Sequence, residues 1–407
     1  MEDRYLIIAD DFTGANDTGV QLRRRGFATE VLFAGKPTGA DYSVVIDTES
    51  RTVHPEHAYE IVSHAVEMVD FNEFRYVIKK VDSTMRGNIA AEIKAVDAHF
   101  HPELMIVAPA LPDLGRTTLD GVQCLNGVEI CRTELALDPK NPVVEDNLVR
   151  MLARTYEEQI FLKRLPDVRS KNLGFENGRI FVCDAETNED LQKILAAAGK
   201  TKRKTLYIGT AGLADNLMHL EYPSLPAFGV VASVSTVTNR QMRYCEEKGI
   251  TMVSLPMHRI LSGEEKTDVY LEQTVSALKR GEDTILLANT SYNREELELS
   301  FEEGEKLGLS PSETGDKVRS IIGHLALQVL EQVSVSGVFL TGGDTALGML
   351  ANIGADGSEI LSEVRVGIPL IRVKGGSYEG LKMVTKAGAF GEEDAVAFAL
   401  RKLKEII

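Results

Sequence analysis

Short apolar runs that end in polar, glycine-containing loops recur along this chain and constrain its fold more than any other feature. The first run, Tyr5–Ala9, is too short for a stable helix and too apolar for a loop, so it predicts a buried strand of a parallel sheet. Asp10 and Asp11 follow at its carboxyl end, which is the edge where open α/β sheets bind ligands. The alternative is a structural turn whose aspartates only cap and solvate, and residues 16–18 are further candidate caps.

Strand and helix patterns alternate over the first hundred residues, which is typical of βαβ units and a parallel sheet. Helices are indicated where apolar residues recur at a spacing of three and four, as they do at 56–70. In this part of the chain we predict strands at 28–33, 43–47, 76–78, 104–108, 180–183 and 206–208, and helices at 56–70, 143–163 and 188–198. Residues 123–143, with their LNG and DPKNP turns, are predicted to be irregular.

The segment EYPSLPAF, residues 221–228, reads as a linker because it combines two prolines with few periodic apolar positions. Beyond it the pattern restarts, with strands predicted at 229–234, 251–255, 284–288 and 337–340 and a helix at 315–333. A chain of 407 residues exceeds the size at which a single core stops growing, roughly 250–300 residues. We therefore predict two α/β domains, 1–224 and 225–407, each a mainly parallel sheet flanked by helices.

The charge balance restricts the partners of the chain. Sixty-one acidic and 45 basic residues give a formal net charge of −16, which disfavours nucleic acid. No run approaches the roughly 18 apolar residues of a membrane helix, and the N-terminus lacks the features of a signal peptide. We expect a cytoplasmic protein with small-molecule ligands and no membrane or nucleic-acid partner. An anionic ligand would then be held by locally placed Arg, Lys and backbone N–H groups.

Cysteine and histidine give no sign of a metal site or of disulfides. His99 and His101 lack a Cys, His or HExxH partner at zinc-binding spacing. The cysteines form no CxxC pair, and a large intracellular chain does not need disulfides. Four residues are therefore expected to be buried thiols: Cys124, Cys131, Cys183 and Cys245.

Two loops that follow predicted strands combine cations, hydroxyls and carboxylates. The loop DTESR carries Arg51, and the loop KKVDSTMRGN carries the second set: Lys79, Lys80, Asp82, Ser83, Thr84 and Arg86. Each of these groups can satisfy one oxygen of a small hydroxylated anion. The alternative is a capped helix start with solvated lysines.

The segment TGGDTALGML places Gly342 and Gly343 between a predicted strand and a helix, where backbone N–H groups can face a phosphate. It is not a Walker A motif, because Met349 and Leu350 stand where Lys and Ser or Thr are required. Asp344 is a candidate Mg²⁺ partner, since Mg²⁺ takes few carboxylates besides waters and phosphate oxygens. Taken alone, the turn can be purely structural.

Several segments together resemble the four-carbon acid sugar kinase family, formerly a family of unknown function. The matching segments are ADDFTGANDTG, DTESR, KKVDSTMRGN, APALPDLGRTTLDG with VQCLNGVEICRTELALDPKNPV, GTAGLA, TGGDTA and KAGAFG, and they cover most of the chain in order. The resemblance implies an N-terminal sugar-acid-binding domain, a C-terminal nucleotide-binding domain and an active site in the cleft between them.

Site residues follow from the resemblance by position. Substrate contacts are implied at Asp11, Arg51, Lys79, Lys80, Asp82, Ser83 and Thr84. Nucleotide contacts are implied at Ser233, Gly342, Gly343, Asp344, Thr345 and Gly388. The chain departs from the family at 232–235, where ASVS replaces the frequent GSCS, and at Ala387 and Ala389, which replace Ser and Asn.

The predicted reaction is ATP-dependent phosphorylation of the terminal hydroxyl of a four-carbon sugar acid to the 4-phosphate, with D-threonate first and D-erythronate next. Arg51 and Lys80 would hold the carboxylate, and Ser83 and Thr84 the hydroxyls. Phosphoryl transfer requires positioning, charge neutralisation and a base. Asp11 or Asp82 would be that base, and ATP with Mg²⁺ would deliver the γ-phosphate.

Three alternatives stay open at this point. One is a 3-oxo-tetronate 4-kinase, and another is a Mg²⁺-dependent phosphohydrolase that uses the Asp10 and Asp11 pair. The third is a non-catalytic sensor of a sugar acid and a nucleotide. A homo-oligomer is also left open.

Overall fold

The chain divides after Pro223 into two units, each with its own sheet and its own hydrophobic cores. The structure is a computed structural model that describes residues 4–33 and 41–406, without the side chains of residues 343–345 and 347. We refer to the units as the N-terminal unit and the C-terminal unit. In each unit a mainly parallel sheet lies between helices, which confirms the predicted fold class of the two domains.

Eight strands of the N-terminal unit form one parallel sheet with the order β2-β3-β1-β4-β11-β5-β10-β9. The strands of the N-terminal unit are β1 (Tyr5–Ala9), β2 (Thr29–Leu32), β3 (Ser43–Asp47), β4 (Tyr76–Lys80), β5 (Leu104–Ala108), β6 (Arg116–Leu119), β7 (Val122–Leu125), β8 (Val128–Glu129), β9 (Ile160–Lys163), β10 (Ile180–Cys183) and β11 (Thr205–Gly209). Strands β6–β8 form a separate small antiparallel sheet. The helices of this unit are α1 (Phe12–Arg24), α2 (Pro55–Val66), α3 (Ile89–Phe100), α4 (Leu148–Ala153), α5 (Leu165–Val168), α6 (Asn188–Lys200) and α7 (Ala211–Glu221).

The apolar strands of this sheet are buried because helices cover both faces. Every residue of β1 is 0% exposed. One core packs the sheet against α1, α6 and α7, and the other packs it against α2, α3 and α4. A strand that is covered on both faces needs apolar residues at consecutive positions, which explains the unbroken run Tyr5–Ala9.

The predicted helix at 143–163 is wrong. The chain forms the short helix α4, capped by Asn147, and then the edge strand β9, which pairs with β10. The apolar residues of these two short elements together resemble one helical repeat, so periodicity alone could not separate them. Residues 123–143 were expected to be irregular, yet they include strands of the small antiparallel sheet.

The C-terminal unit has a seven-stranded sheet with the order β13-β14-β12-β15-β18-β17-β16, in which β16 and β17 are antiparallel to their neighbours. Its strands are β12 (Ala227–Val231), β13 (Thr251–Leu255), β14 (Thr284–Ala288), β15 (Gly337–Thr341), β16 (Gly357–Arg365), β17 (Ile368–Lys374) and β18 (Lys382–Lys386). Its helices are α8 (Thr236–Glu247), α9 (Met257–Ser262), α10 (Asp268–Lys279), α11 (Arg294–Lys306), α12 (Pro311–Gln332), α13 (Gly343–Asn352) and α14 (Ala395–Leu403).

Strand β12 is the topological switch point of this sheet, where the order in which the chain adds strands reverses. The chain leaves β12 for β13 and β14 on one side, and it returns to β15 and β18 on the other side. Loops that leave neighbouring strands in opposite directions open a crevice at the carboxyl edge, where such sheets bind ligands. Over residues 4–33 and 41–406, no helix has the length and apolar character needed to cross a membrane.

Candidate active site

Three loops of the N-terminal unit meet at one edge of the sheet because they leave the neighbouring strands β3, β1 and β4. They bound a cleft of about 500 Å³. Of the predicted substrate residues, the following line it: Asp11, Arg51, Lys80, Asp82 and Ser83. Helices α1 and α7 both begin at this cleft, and their N-terminal ends favour an anionic ligand.

Asp11 caps helix α1 and also faces the cleft. Its Oδ1 accepts from the backbone N–H of Gly14 at 3.0 Å and from Arg51 Nη2 at 2.7 Å. Across the described parts of the chain, no hydrogen-bond donor contacts its Oδ2. The side chain of Asp11 is 21% exposed, so this oxygen is available to a ligand. The alternative caps predicted at residues 16–18 are wrong, since those residues lie inside α1.

Arg51 is held by the carboxylates that surround it. Its Nε donates to Asp10 Oδ2 at 2.6 Å, and its Nη2 lies 2.7 Å from Asp11 Oδ1 and 3.7 Å from Asp82 Oδ1. Burial alone would lower the pKa of Arg51, but the hydrogen bond and charge of Asp10 outweigh it and raise the pKa. The guanidinium therefore stays charged and fixed beneath the cleft.

The backbone around Arg51 is held by the loop that precedes α3. The Asn88 side-chain amide donates to the carbonyls of Ser50 at 2.9 Å and Val53 at 2.8 Å. Gly87 has a φ of +99°, and a Cβ on it would lie 3.0 Å from Arg51 Cγ. Only glycine adopts this conformation without strain and also leaves room for the arginine side chain.

Lys80 lies at the base of the cleft and is 5% exposed. Its Nζ donates to the carbonyl of Val81 at 3.0 Å, and a Cβ on Gly14 would approach Nζ to 2.9 Å. Burial lowers the pKa of Lys80, while the charges of Asp10, Asp82 and Asp11 oppose that shift. Gly14 thus gives the ammonium group its space next to the start of α1.

Asp82 has both of its oxygens occupied by donors. Arg86 approaches Oδ2 through Nε at 2.9 Å and Oδ1 through Nη2 at 3.1 Å, and Thr84 Oγ1 donates to Oδ2 at 2.5 Å. Burial would raise the pKa of Asp82, but these hydrogen bonds and the charge of Arg51 lower it. Asp82 therefore remains an ionised carboxylate that organises its own loop. Thr84 is engaged with it, whereas Ser83 lines the cleft.

Lys79 does not line the cleft. Its side chain is 0% exposed and lies 2.9 Å from Glu92 of α3, inside the unit. Glu92 in turn accepts from Ser50 Oγ at 2.8 Å, and Ser50 contacts Thr48. This buried chain of polar contacts links β4 and α3 to the loop that carries Arg51, so Lys79 fixes the position of that loop from below.

The sequence reasoning missed Gln123 as a support of the site. Its side-chain amide donates to the carbonyls of Ser83 at 3.1 Å and Pro109 at 3.2 Å, and its Oε1 accepts from Thr118 at 2.6 Å. Gln123 is 0% exposed. Only the pairing of β6 with β7 brings it beneath the Ser83 loop. The signal that could have predicted this hairpin is Asp120-Gly121, a dipeptide typical of two-residue hairpin turns, and both residues have positive φ.

Asp47, at the end of β3, provides a pH-dependent prediction. Burial and the nearby charges of Glu49 and Asp11 raise its pKa from 3.8 to about 6, against a backbone hydrogen bond from Glu49 that lowers it. Since the folded state keeps this proton to higher pH, stability should fall as pH rises from about 4 to about 6 and stay reduced above that. Asp47→Asn, which keeps the Oδ1 acceptor, should stabilise the protein at pH 7 by on the order of 1–3 kcal/mol.

The measurement is thermal or chemical unfolding of both proteins at pH 4 and pH 7. Asp70→Asn is a matched control, because the exposed Asp70 also accepts from the backbone N–H two residues later. A gain for Asp47→Asn that is equal at both pH values would contradict the assignment.

The predicted nucleotide residues of the C-terminal unit follow three neighbouring strands. Ser233 follows β12, Gly342 follows β15 and Gly388 follows β18. Gly342 has a φ of +91° and caps α13. A Cβ on Gly388 would lie 2.5 Å from Ser233 Oγ, so the two turns approach each other closely. The backbone of Gly343, Asp344 and Thr345 forms the start of α13, and their side chains lie outside the described part of the structure.

A buried lysine supports these turns. Lys386 is 1% exposed, and its Nζ donates to the carbonyls of Ala387 at 3.1 Å, Gly388 at 3.0 Å and Phe390 at 3.2 Å. Burial lowers its pKa to about 8. Thr238 of α8 donates to the carbonyl of Gly388 at 2.9 Å, which ties the turn to the neighbouring helix. The sequence reasoning named this lysine only as part of the KAGAFG turn.

Comparison with known proteins assigns a class to both units. A family model described as a sugar-binding N-terminal domain matches residues 5–217, and one described as a nucleotide-binding C-terminal domain matches residues 228–396. Relatives over the full chain are kinases of four-carbon sugar acids, so the protein belongs to the class of phosphotransferases with an alcohol group as acceptor. Within this class, the chain belongs to the four-carbon acid sugar kinase family.

Relatives of known activity are similar over the full length. The chain is 34% identical over 420 residues to a D-threonate kinase of Salmonella typhimurium, with 99% of each chain covered. It is 29% identical to a D-threonate kinase of Bordetella bronchiseptica, covering 98% of this chain and 97% of the relative. It is 28% identical to a D-erythronate kinase of Heliobacterium modesticaldum, covering 96% and 94%.

A solved structure from Bordetella bronchiseptica is similar in fold, with a TM-score of 0.62, 28% identity and 98% of each chain covered. That protein was crystallised with bound citrate as a domain-swapped dimer.

Proposed function

We propose that this protein is an ATP-dependent kinase that phosphorylates the terminal hydroxyl of D-threonate, with D-erythronate as the next candidate substrate. The observation that carries the proposal is the cleft where Arg51, Lys80 and Asp11 meet at the carboxyl ends of three neighbouring strands. Similarity to D-threonate kinases over the full chain supports the choice of substrate. The expected location of the reaction, a cleft between the two domains, stays a prediction.

In this proposal the substrate carboxylate lies against Arg51 and Lys80. Lys80 is buried and the side chain of Arg51 is only 11% exposed, and a region of low dielectric strengthens their attraction for an anion. The Ser83 hydroxyl lines the cleft and can bind a substrate hydroxyl. Thr84 contributes through its hydrogen bond to Asp82, and Lys79 contributes by positioning the Arg51 loop through Glu92.

Of the two predicted bases, Asp11 fits the role better. A general base needs a free lone pair, and Asp11 lines the cleft while its Oδ2 has no donor among residues 4–33 and 41–406. Asp82 accepts on both oxygens, and its lowered pKa makes it a weaker proton acceptor. Asp11 would therefore take the proton of the terminal hydroxyl, and Asp82 would hold Arg86 and the loop.

The glycine turns of the C-terminal unit suit the ATP phosphates. Gly342 has a positive φ and no side chain, so a phosphate can approach the backbone at the start of α13. Gly388 lies close to Ser233, which brings two further turns together. These turns would position the γ-phosphate. Bound Mg²⁺ would neutralise charge on the phosphates.

A metal site built only from protein ligands does not fit this proposal. In the part of the chain that the structure describes, no cluster of three or more His, Cys, Asp or Glu residues could hold an ion. In this proposal a Mg²⁺ ion would be held mainly by phosphate oxygens and waters. Asp344 is the candidate for a carboxylate ligand.

Measurement of ADP release tests the proposed function. We expect the highest kcat/KM with D-threonate, lower values with D-erythronate, and Mg²⁺ dependence throughout. The panel should also include the L-isomers and 3-oxo-tetronates, because relatives at 26% identity are 3-oxo-tetronate kinases. Phosphate release from a phosphorylated acid in the absence of ATP would favour a phosphohydrolase. ATP binding without ADP formation on any acid would favour a sensor.

A homo-oligomer is one possibility, which the domain-swapped dimer of the similar Bordetella bronchiseptica protein supports. Light scattering after size-exclusion chromatography at micromolar concentration distinguishes a dimer or larger assembly from a monomer.

A further inference from the structure

A cavity of about 780 Å³ lies in the N-terminal unit, at the opposite edge of its sheet from the substrate cleft. Tyr76, the first residue of β4, lines this cavity, whereas Lys80, the last residue of the same strand, lines the cleft. Thr205, the first residue of β11, lines the cavity as well. We call it the amino-edge cavity, because it lies at the amino ends of these parallel strands. No site residue was predicted in it.

The charge around the amino-edge cavity is opposite to that of the whole chain. The chain has 61 acidic and 45 basic residues, yet Glu221 is the single carboxylate in the lining of this cavity. Five cations line it: Arg75, Lys200, Lys202, Arg203 and Lys204. A cavity lined by one sign of charge attracts ligands of the opposite sign, so this lining favours an anion.

The two arginines are engaged inside the protein, and the three lysines are not. Arg75 Nη2 lies 3.0 Å from Glu221 Oε2, and Arg203 donates to the carbonyls of Phe175 and Gly178, both at 2.8 Å. The lysines are exposed, and in the part of the chain that the structure describes none of them forms an ion pair. Their charges are therefore available to a ligand.

The dipole of helix α6 does not account for all three lysines. Lys200 lies in the last turn of α6, where a cation also compensates the negative end of the helix. Lys202 and Lys204 lie beyond that helix, in the turn that leads to β11. Lys202 has a φ of +55°, a conformation that glycine or asparagine adopts at lower cost. The turn thus carries a lysine where its backbone favours another residue.

The inner wall of the amino-edge cavity suits a flat apolar group. The rings of Tyr76 and Tyr207 lie 6.4 Å apart between centroids, and those of Phe71 and Phe100 lie 5.0 Å apart. All four rings line the cavity. Aliphatic side chains complete the wall: Leu195, Leu217 and Leu220. An aromatic ring packs well against a surface of this kind.

From position, charge and lining we infer that the amino-edge cavity binds a phosphate monoester that carries a flat ring. The phosphate, with a charge of about −1.5 to −2 at pH 7, would lie against the lysines, and the ring against the aromatic wall. The volume of 780 Å³ falls within the range of small-molecule pockets, roughly 300–1,000 Å³. The inference does not depend on the proposed kinase function, because the cavity and the substrate cleft share no residue.

Calorimetric titration of the full-length protein with 1-naphthyl phosphate tests the inference. A charge variant combines Lys200→Gln, Lys202→Asn and Lys204→Gln, and it should bind the probe at least tenfold more weakly than wild type. The three side chains are exposed, and asparagine tolerates the positive φ at position 202, so this variant should fold.

A second triple variant controls for the change in net charge. It combines Lys248→Gln, Lys266→Gln and Lys279→Gln, three exposed lysines that do not line the cavity. Lys248 Nζ lies over the ring of Tyr244 at 5.4 Å, much as Lys204 Nζ lies over Phe100 at 4.4 Å. The control variant loses the same three charges, and it should bind the probe within twofold of wild type.

A cavity-filling variant tests the site without changing any charge. Gly199 of α6 lines the cavity, and a Cβ on it would meet no atom within 4 Å. Gly199→Met should therefore fold, occupy part of the cavity and weaken binding of the probe at least tenfold. Gly323→Met is the matched control, since Gly323 also lies in a helix, has open space around its Cβ position and is not part of the cavity. It should bind as wild type does.

Two fragments of the probe test the ligand class. Inorganic phosphate lacks the ring and 1-naphthol lacks the phosphate, so each should bind at least tenfold more weakly than 1-naphthyl phosphate. Saturating ADP and D-threonate should leave binding of the probe unchanged.

Three results would overturn the inference: no binding of the probe to wild type, an equal loss in both triple variants, or displacement of the probe by ADP or D-threonate. A protein that phosphorylates D-threonate and binds no 1-naphthyl phosphate refutes only the amino-edge site. A protein that binds the probe there and phosphorylates no acid refutes only the kinase proposal.

Discussion

Asp11→Asn should fold normally and lose most of its kinase activity, with a fall in kcat of about 10²–10⁴-fold. Asparagine retains the Oδ1 acceptor that caps α1 through Gly14 and that contacts Arg51. The substitution removes the negative charge and the proton-accepting lone pairs of Oδ2 from a residue that lines the cleft. The KM for the acid should change far less than kcat, since Arg51 and Lys80 stay in place. Steady-state kinetics on the substrate selected by the screen provide the measurement.

Asp82→Asn is the informative comparison for this prediction. It weakens two charge-assisted hydrogen bonds with Arg86, so it should loosen the Ser83 loop and raise KM more than it lowers kcat. Near-normal kcat in Asp11→Asn, with melting behaviour like that of wild type, would remove Asp11 from the role of base. A large kcat loss in Asp82→Asn alone would transfer that role to Asp82.

Replacing Arg51 by Met should destabilise the N-terminal unit by about 3–5 kcal/mol and abolish activity. Asp10 is 1% exposed, and its Oδ1 has no hydrogen-bond partner among the described residues, 4–33 and 41–406. Without Arg51, its Oδ2 would lose the 2.6 Å contact as well, and the buried carboxylate would keep only the charge of Lys80 as compensation, without a hydrogen bond from a cation. Denaturant unfolding, followed with and without ADP to separate the two units, measures the loss.

A double variant distinguishes stability from function at this position. Asp10→Asn combined with Arg51→Met removes both charges, so it should recover a large part of the lost stability. It should stay inactive, because the cation proposed to hold the substrate carboxylate is still absent. If the double variant is as unstable as Arg51→Met, the buried charge of Asp10 is not the cause of the loss.

The sequence predicted the cleft largely because parallel sheets bring the carboxyl ends of neighbouring strands together. Asp11, Arg51 and Lys80 are far apart in the chain, yet each follows or ends an apolar run, and that position alone brings them to one edge. The same reasoning fails for Lys79. Consecutive residues of a strand point to opposite faces, so Lys79 and Lys80 could not both line the cleft.

The structural features that the sequence did not predict depend mostly on contacts between distant segments of the chain. Glu92 is a single charge on the apolar face of α3, and only the packing of α3 on β4 explains it as the partner of Lys79. Gln123 contacts Ser83 because it lies in the β6–β7 hairpin, part of which falls in the segment predicted to be irregular. The antiparallel β16 and β17 were missed as well, because β16 is largely exposed and lacks the apolar run of the buried strands.

Asp11 Oδ1 caps helix α1, and this cap does not involve Oδ2. That the two oxygens have different roles has a genetic consequence. Codons for aspartate and asparagine differ by one G-to-A transition. If Asp11 is the base, a single nucleotide change converts the enzyme into a folded protein that still binds its ligands. Chains with asparagine at this position would then be candidates for receptors derived from a kinase.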